Sequence, residues 1–188
     1  MIRYIFLIIV FCSVAMQSFS QNYQSEYLEA KRLYNNKDYR VAKDAFKSLI
    51  ASSPKHNFGE YASFFYGLSA YNLESYNEAK DMWLQVRSKY PNWDQSEETQ
   101  WWLAAAYFKL GDYSKGNQNL VSLRNNKLKK DGEGLKVSYL IGLDSISELI
   151  SLYSENNSDP LLANFLLDEL VKTDLLYEFE QTAKDVII

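Results

Sequence analysis

Apolar residues recur along this chain every three or four positions, in stretches separated by short polar or proline-containing segments. That spacing places side chains on one face of an α-helix, and the short segments predict tight turns. The predicted helices cover residues 24–36, 39–50, 64–73, 76–89, 96–110 and 113–126. Pro54 and Pro91 end the second and fourth of these, because proline disfavours a helical conformation of the residue before it. The pattern therefore predicts an all-α chain of helix-turn-helix units.

The predicted units repeat at a step of 37 residues. Each contains a turn aromatic, a small residue three positions later and a bulky residue four positions after that. These positions are Tyr39, Ala42 and Phe46 in the first unit, Tyr76, Ala79 and Trp83 in the second, and Tyr113, Gly116 and Leu120 in the third. A small residue in each first helix follows the same step, at Ala30, Gly67 and Ala104. Such units cannot bury their apolar faces alone, so they must stack into one array.

These positions resemble the tetratricopeptide repeat, which has a small residue where the two helices of a unit cross and an aromatic residue at the turn. The resemblance covers residues 24–126 and implies a right-handed superhelical array of about three units, at residues 24–54, 60–91 and 97–126. The tryptophan that the family carries in its first helix is missing here. A 37-residue step, with Lys-Tyr-Pro closing a unit, is similar to the repeats of bacterial envelope proteins.

The resemblance also implies where a partner would bind, because in this family the first helices line a concave face that takes proteins or peptides. Two columns of that face are wholly aromatic here: Tyr27, Phe64 and Trp101, then Tyr34, Tyr71 and Phe108. Beside them lie Lys31 and Leu68, and then Asn35, Asn72 and Lys109. An aromatic floor with amide and ammonium edges suits an extended peptide. Because aromatic residues at helical spacing usually form core, we expect these rings mainly to pack between units, with their exposed edges forming a groove.

Beyond residue 130 the sequence departs from the repeated pattern. Asp131-Gly132-Glu133-Gly134 predicts a break, followed by one long helix over residues 135–154 that caps the array. Asn156 to Pro160 is a helix-start signal, and it predicts two further helices at residues 161–172 and 175–188. The sequence thus predicts an array over residues 21–130 and a C-terminal extension of three helices over residues 131–188. The apolar end at Val186-Ile187-Ile188 leaves three alternatives: packing on the preceding helices, docking on a partner, or descent from a longer protein.

The N-terminus has the pattern of a cleaved export signal. Arg3 precedes an apolar run from Tyr4 to Met16, and Ser18-Phe19-Ser20 offers small residues to a signal peptidase. The run is about 13 residues long, whereas a membrane span needs about 20. We therefore expect cleavage near Ser20, export to the periplasm or outer envelope, and membrane association only through partners.

Composition argues against several other functions. Only Arg3 of the 20 Lys and Arg lies within residues 1–20, which leaves 19 against 24 Asp and Glu and argues against a nucleic-acid partner. The only cysteine, Cys12, lies in the export signal, and the only histidine, His56, lies in a polar segment. Neither a zinc site nor a nucleophile with a histidine base can be assembled from these residues. We expect no catalytic residues, no metal and no cofactor.

Two functions of different classes follow. The first is an exported scaffold or adaptor of the bacterial cell envelope that binds a partner protein or an extended peptide in the concave face. The alternative is a structural or regulatory module of a larger envelope assembly, which contacts its partner through the C-terminal helices.

Overall fold

The computed structural model describes residues 23–52, 58–143 and 146–172, and within these ranges the chain forms nine α-helices and no strand. The helices are α1 (residues 23–35), α2 (Tyr39–Ser52), α3 (Gly59–Asn72), α4 (Tyr76–Lys89), α5 (Ser96–Lys109), α6 (Tyr113–Val121), α7 (Asn126–Ile141), α8 (Ile146–Glu155) and α9 (Pro160–Lys172). The predicted export signal and the predicted last helix lie outside the described residues. No helix in the described ranges combines the length and the apolar character that crossing a membrane requires.

Consecutive helices pack against each other from α2 to α7, and α5 also packs against α7. Apolar side chains of α1 and α2 form one core cluster with those of α3, and the clusters that follow join α3, α4 and α5, then α5, α6 and α7. This arrangement confirms the predicted all-α fold of stacked helix pairs.

The turn inside each pair has the same backbone geometry three times. Lys37, Glu74 and Gly111 have positive φ angles of 66°, 59° and 81°. The N–H group of each donates to the carbonyl three residues earlier at 2.9–3.1 Å, and the following N–H group donates five residues back at 2.9–3.0 Å. This Schellman closure satisfies the last carbonyls of the first helix. Only at Gly111 does the residue adopt the left-handed conformation without a Cβ penalty.

Stacking between units depends on four positions of each first helix that face the unit before. They are Ala62, Phe65, Tyr66 and Ser69 on α3, then Thr99, Trp102, Leu103 and Ala106 on α5, and finally Lys136, Tyr139 and Leu140 on α7 with Leu143 just beyond its end. All twelve are buried or partly buried. The 37-residue step therefore continues into α7, which covers the third unit as the first helix of a fourth unit would.

On α1 the same four positions are all exposed. They are Ser25, Leu28, Glu29 and Arg32, and the Arg32 guanidinium pairs with the Glu29 carboxylate at 2.6 Å. A terminal repeat needs such a polar outer face to stay soluble. The exposed polar face of α1 is therefore suited to cap the array.

The break predicted at residues 131–134 is wrong, because α7 continues through Gly132 and Gly134. The single long helix predicted over residues 135–154 is wrong as well, since that stretch contains the end of α7 and then the separate helix α8. Helix α6 ends at Val121, earlier than the predicted 126. Gly132 explains the first error: a Cβ there would lie 2.6 Å from Cδ2 of Leu120 on α6. Its role is close approach between two helices and not a turn.

A small residue opposite a large one also sets the crossing of α3 and α4. Trp83 is fully buried, and its indole Nε1 donates to the carbonyl of Phe64 at 3.3 Å. A Cβ on Gly67 would lie 2.6 Å from Cε2 of that indole. Gly67 therefore leaves the space that Trp83 fills.

We expect Gly67→Ala to lower the free energy of unfolding by about 1–3 kcal/mol, because the buried indole must shift. Gly134→Ala is the matched control: it also lies inside a helix, but its Cβ meets nothing within 4 Å. That substitution should raise the stability by about 0.5–1 kcal/mol. Urea unfolding of the two variants measures the difference, and equal stabilities would contradict the close crossing.

Candidate functional site

The first predicted aromatic column packs towards the entry of the following unit. The Tyr27 ring stacks on Phe58 with centroids 5.3 Å apart, and the Phe64 ring meets Trp93 at 5.5 Å. Tyr27 and Phe64 are buried, and Trp101 is half-buried. These rings contribute core area, and their role in binding a partner stays a prediction.

The second predicted column joins one unit to the next. Its rings, Tyr34, Tyr71 and Phe108, each contact the turn aromatic of the same unit, namely Tyr39, Tyr76 and Tyr113, at centroid distances of 5.1–5.6 Å. Each also contacts a ring 31 residues further along the chain, namely Phe65, Trp102 and Tyr139, at 5.3, 5.3 and 5.7 Å. The same three-ring contact thus recurs in every seam between units, and it favours the interpretation that these rings mainly pack.

The polar side chains predicted beside the columns remain at the surface. Asn35, Asn72 and Lys109 are exposed, whereas Leu68 is buried and Lys31 is half-buried. The Lys31 ammonium lies over the Phe65 ring, 5.2 Å from its centroid. A polar edge therefore follows the first helices next to the aromatic seams, as a peptide-binding face requires.

A groove of about 320 Å³ opens at the seam between α5 and α7. Its lining includes three predicted site residues, Tyr71, Phe108 and Lys109, together with Ala105, Leu135 and Tyr139. The last two lie on α7, in the region that sequence reasoning placed outside the array. Tyr139 continues the column of Phe65 and Trp102 at the 37-residue step, which was the available signal. Leu135 had no such signal, because Glu98 stands one repeat before it.

Small residues create this groove. The row that carries Lys31 on α1 and Leu68 on α3 continues as Ala105 on α5 and Gly142 at the C-cap of α7. Across the first seam, the Lys31 side chain covers Phe65. Across the last seam, Ala105 and Gly142 line the groove without filling it.

The groove combines an aromatic floor with one cation. The Tyr139 hydroxyl donates to the carbonyl of Gly111 at 3.2 Å. Burial raises the pKa of Tyr71 to about 12, with the neighbouring Tyr76 adding to the shift, so this phenol is neutral at pH 7. Lys109 has no ion-pair partner within the described part of the chain. An apolar side chain with a carboxylate nearby would match this chemistry.

A buried ion pair next to the groove ties α7 to the start of α9. Lys136 Nζ lies 2.9 Å from Asp159 Oδ2, and the Tyr113 hydroxyl donates to the same oxygen at 2.9 Å. The other oxygen, Oδ1, accepts the N–H group of Leu161 at 3.1 Å and caps α9 where the sequence predicts a helix start. The Tyr113 ring also contacts Tyr139 in the groove floor at 5.4 Å.

The partners of Asp159 set its charge state. Burial by itself would raise the pKa of this carboxyl, but hydrogen bonds from Lys136 and Tyr113 and the Lys136 charge together hold it below its ordinary value. The carboxylate is therefore ionised at neutral pH, as the buried ammonium requires.

The stacked helix pairs define the class of the chain, an α-helical repeat protein. A family model described as tetratricopeptide repeat matches residues 61–92, which comprise almost all of α3 and α4. The match covers one unit, and together with the consecutive helix-turn-helix units it supports a tetratricopeptide repeat array. No curated protein matches the chain at a significant level.

We expect Asp159→Asn to destabilise the fold by about 3 kcal/mol at pH 7, because it leaves the Lys136 ammonium buried without its counter-ion. Lys136→Met should cost less, since Asp159 keeps Tyr113 and the Leu161 N–H group. Because the folded-state pKa of Asp159 is depressed, its contribution exists above the unfolded-state pKa and disappears as pH falls through the folded-state value. Urea unfolding at pH 7 and pH 3 should show the gap between the protein and Asp159→Asn shrinking in acid. A gap independent of pH would contradict this assignment.

Proposed function

We propose that this chain is an exported interaction scaffold or adaptor of the bacterial cell envelope, and that it binds an extended segment of a partner protein in the groove between α5 and α7. The groove is the observation that carries the proposal, since it offers aromatic surface and, at a seam of the array, Lys109, which pairs with no carboxylate among the described residues. The family supports it, because tetratricopeptide repeats are typically non-catalytic modules that bind proteins or peptides.

The dimensions of the groove suggest what part of a partner it holds. Ligand pockets span about 300–1,000 Å³, so a groove of about 320 Å³ is at the small end of that range. It suits one large apolar side chain of a peptide, with the flanking backbone lying along the exposed row of Asn72 and Lys109. A carboxylate close to that side chain would pair with Lys109.

Blocking the groove tests the site without disturbing the core. Ser138 lines the groove, is exposed, and donates its hydroxyl to the carbonyl of Gly134 at 2.8 Å. Ser48 on α2 is the matched control, because it is also exposed in a helix and bonds the carbonyl of Asp44 four residues back at 3.1 Å. Peptides selected from a displayed library of random 12-residue sequences serve as probes. We expect Ser138→Trp to weaken their binding at least about tenfold, equivalent to roughly 1.4 kcal/mol, and Ser48→Trp to leave it unchanged.

Equal binding by both tryptophan variants would place the peptide site elsewhere on the array. A library that yields no binder, in selections where a known peptide-binding protein succeeds, would count against peptide recognition altogether. Circular dichroism of both variants checks that the helices are retained.

Export can be tested separately from peptide binding. The proposal that residues 1–20 are removed derives from the sequence pattern, Arg3 followed by the apolar run and Ser18-Phe19-Ser20. We expect the protein recovered from a periplasmic fraction to begin at Gln21 by N-terminal sequencing. Recovery in the cytoplasmic fraction with Met1 retained would overturn the localisation and leave the groove proposal standing.

A further inference from the structure

Helix α9 carries an apolar stripe that the described part of the fold covers only on one side. Leu162, Leu166 and Leu170 are buried in the cluster that also contains Leu149 of α8. Leu167 and Val171, one turn apart, are 45% and 60% exposed. A helix with apolar residues on so wide an arc is normally covered on both sides.

This pair differs from the other exposed apolar side chains in the described ranges. Large exposed apolar residues elsewhere, such as Leu84, Val121 and Ile141, occur one to a helix. Isolated residues of that kind are ordinary on protein surfaces, whereas adjacent ones mark a contact surface. Leu167 and Val171 form an adjacent pair near the end of the last described helix.

We propose that residues 173–188 of the same chain cover this face of α9. Thr173-Asp174 is a predicted turn directly after Lys172, and apolar residues follow it at helical spacing at Leu175, Leu176 and Phe179. The 14 residues of the predicted helix 175–188 would span about 21 Å, compared with about 20 Å for the 13 residues of α9. The segment is therefore long enough to return along the whole helix.

The covalent connection to α9 favours residues 173–188 over a second copy or a separate partner as the segment that covers this face. A segment joined to α9 by a short turn has an effective concentration in the millimolar range, which a free partner would have to exceed. One of its apolar residues would lie opposite the exposed pair, because Phe179 and Leu167 are equally far in sequence from Thr173. In a helical hairpin these two side chains meet.

Engineered cysteines test the contact, because the chain with Cys12→Ser contains no other cysteine. Leu167→Cys with Phe179→Cys should form an intramolecular disulfide under mild oxidation, since paired Cα atoms must come within about 7 Å. Two control pairs use the same Phe179→Cys, one with Val121→Cys on α6 and one with Lys109→Cys at the groove. We expect the Leu167 pair to close at least about tenfold faster than either control, at a rate independent of protein concentration.

Every other outcome overturns the proposal and identifies a different arrangement. Faster closure of the Lys109 pair would show that the segment occupies the groove. Crosslinked dimers that form faster at higher protein concentration would assign the face to a second copy. Closure of all three pairs at the same slow rate would leave the face of α9 open to a separate partner, as the alternative function predicts. Mass spectrometry of the digested products distinguishes these results.

Discussion

The contact between a first-helix ring and the ring 31 residues further along the chain holds this array together. Tyr34 with Phe65, Tyr71 with Trp102, and Phe108 with Tyr139 make it at nearly the same distance in three successive seams. Each first ring also contacts the aromatic residue at its own turn. The same side chain therefore fixes the fold of a unit and its junction to the next, so unit formation and stacking are coupled, as expected for a repeat protein whose units contact only their neighbours.

Features that depend on local spacing were predictable from the sequence. The helix pairs, their turns at Tyr39, Tyr76 and Tyr113, and the cap of α9 at Asp159 follow from periodicity and start signals. The course of α7 was not predictable in this way, because Gly132 and Gly134 have the composition of a break. Only the contact of Gly132 with Leu120 on another helix shows that this glycine serves packing. Tertiary contact here overrides a local preference, as it often does for helix propensity.

Part of the lining of the groove was predictable for the same reason, whereas its role in binding stays a prediction. Tyr71, Phe108 and Lys109 were assigned from repeated columns, and the structure places them at one groove. The groove itself depends on the small side chains of Ala105 on α5 and Gly142 at the C-cap of α7, which are far apart in sequence. No pattern along the chain encodes the space between two helices. Because Tyr139 both closes the last seam and lines the groove, this side chain contributes to the stability of the array and to the shape of the site.

The two ends of the array do not match each other. The outer face of α1 presents the Glu29–Arg32 ion pair, whereas α7 presents the exposed Ser138 at the position where the three units before it carry aromatic rings. Stacking one copy on another head to tail would bury that ion pair, at a cost in desolvation. Repeating contacts of that kind build open filaments. The ion pair on the outer face of α1 therefore disfavours the extension of the solenoid by a second copy.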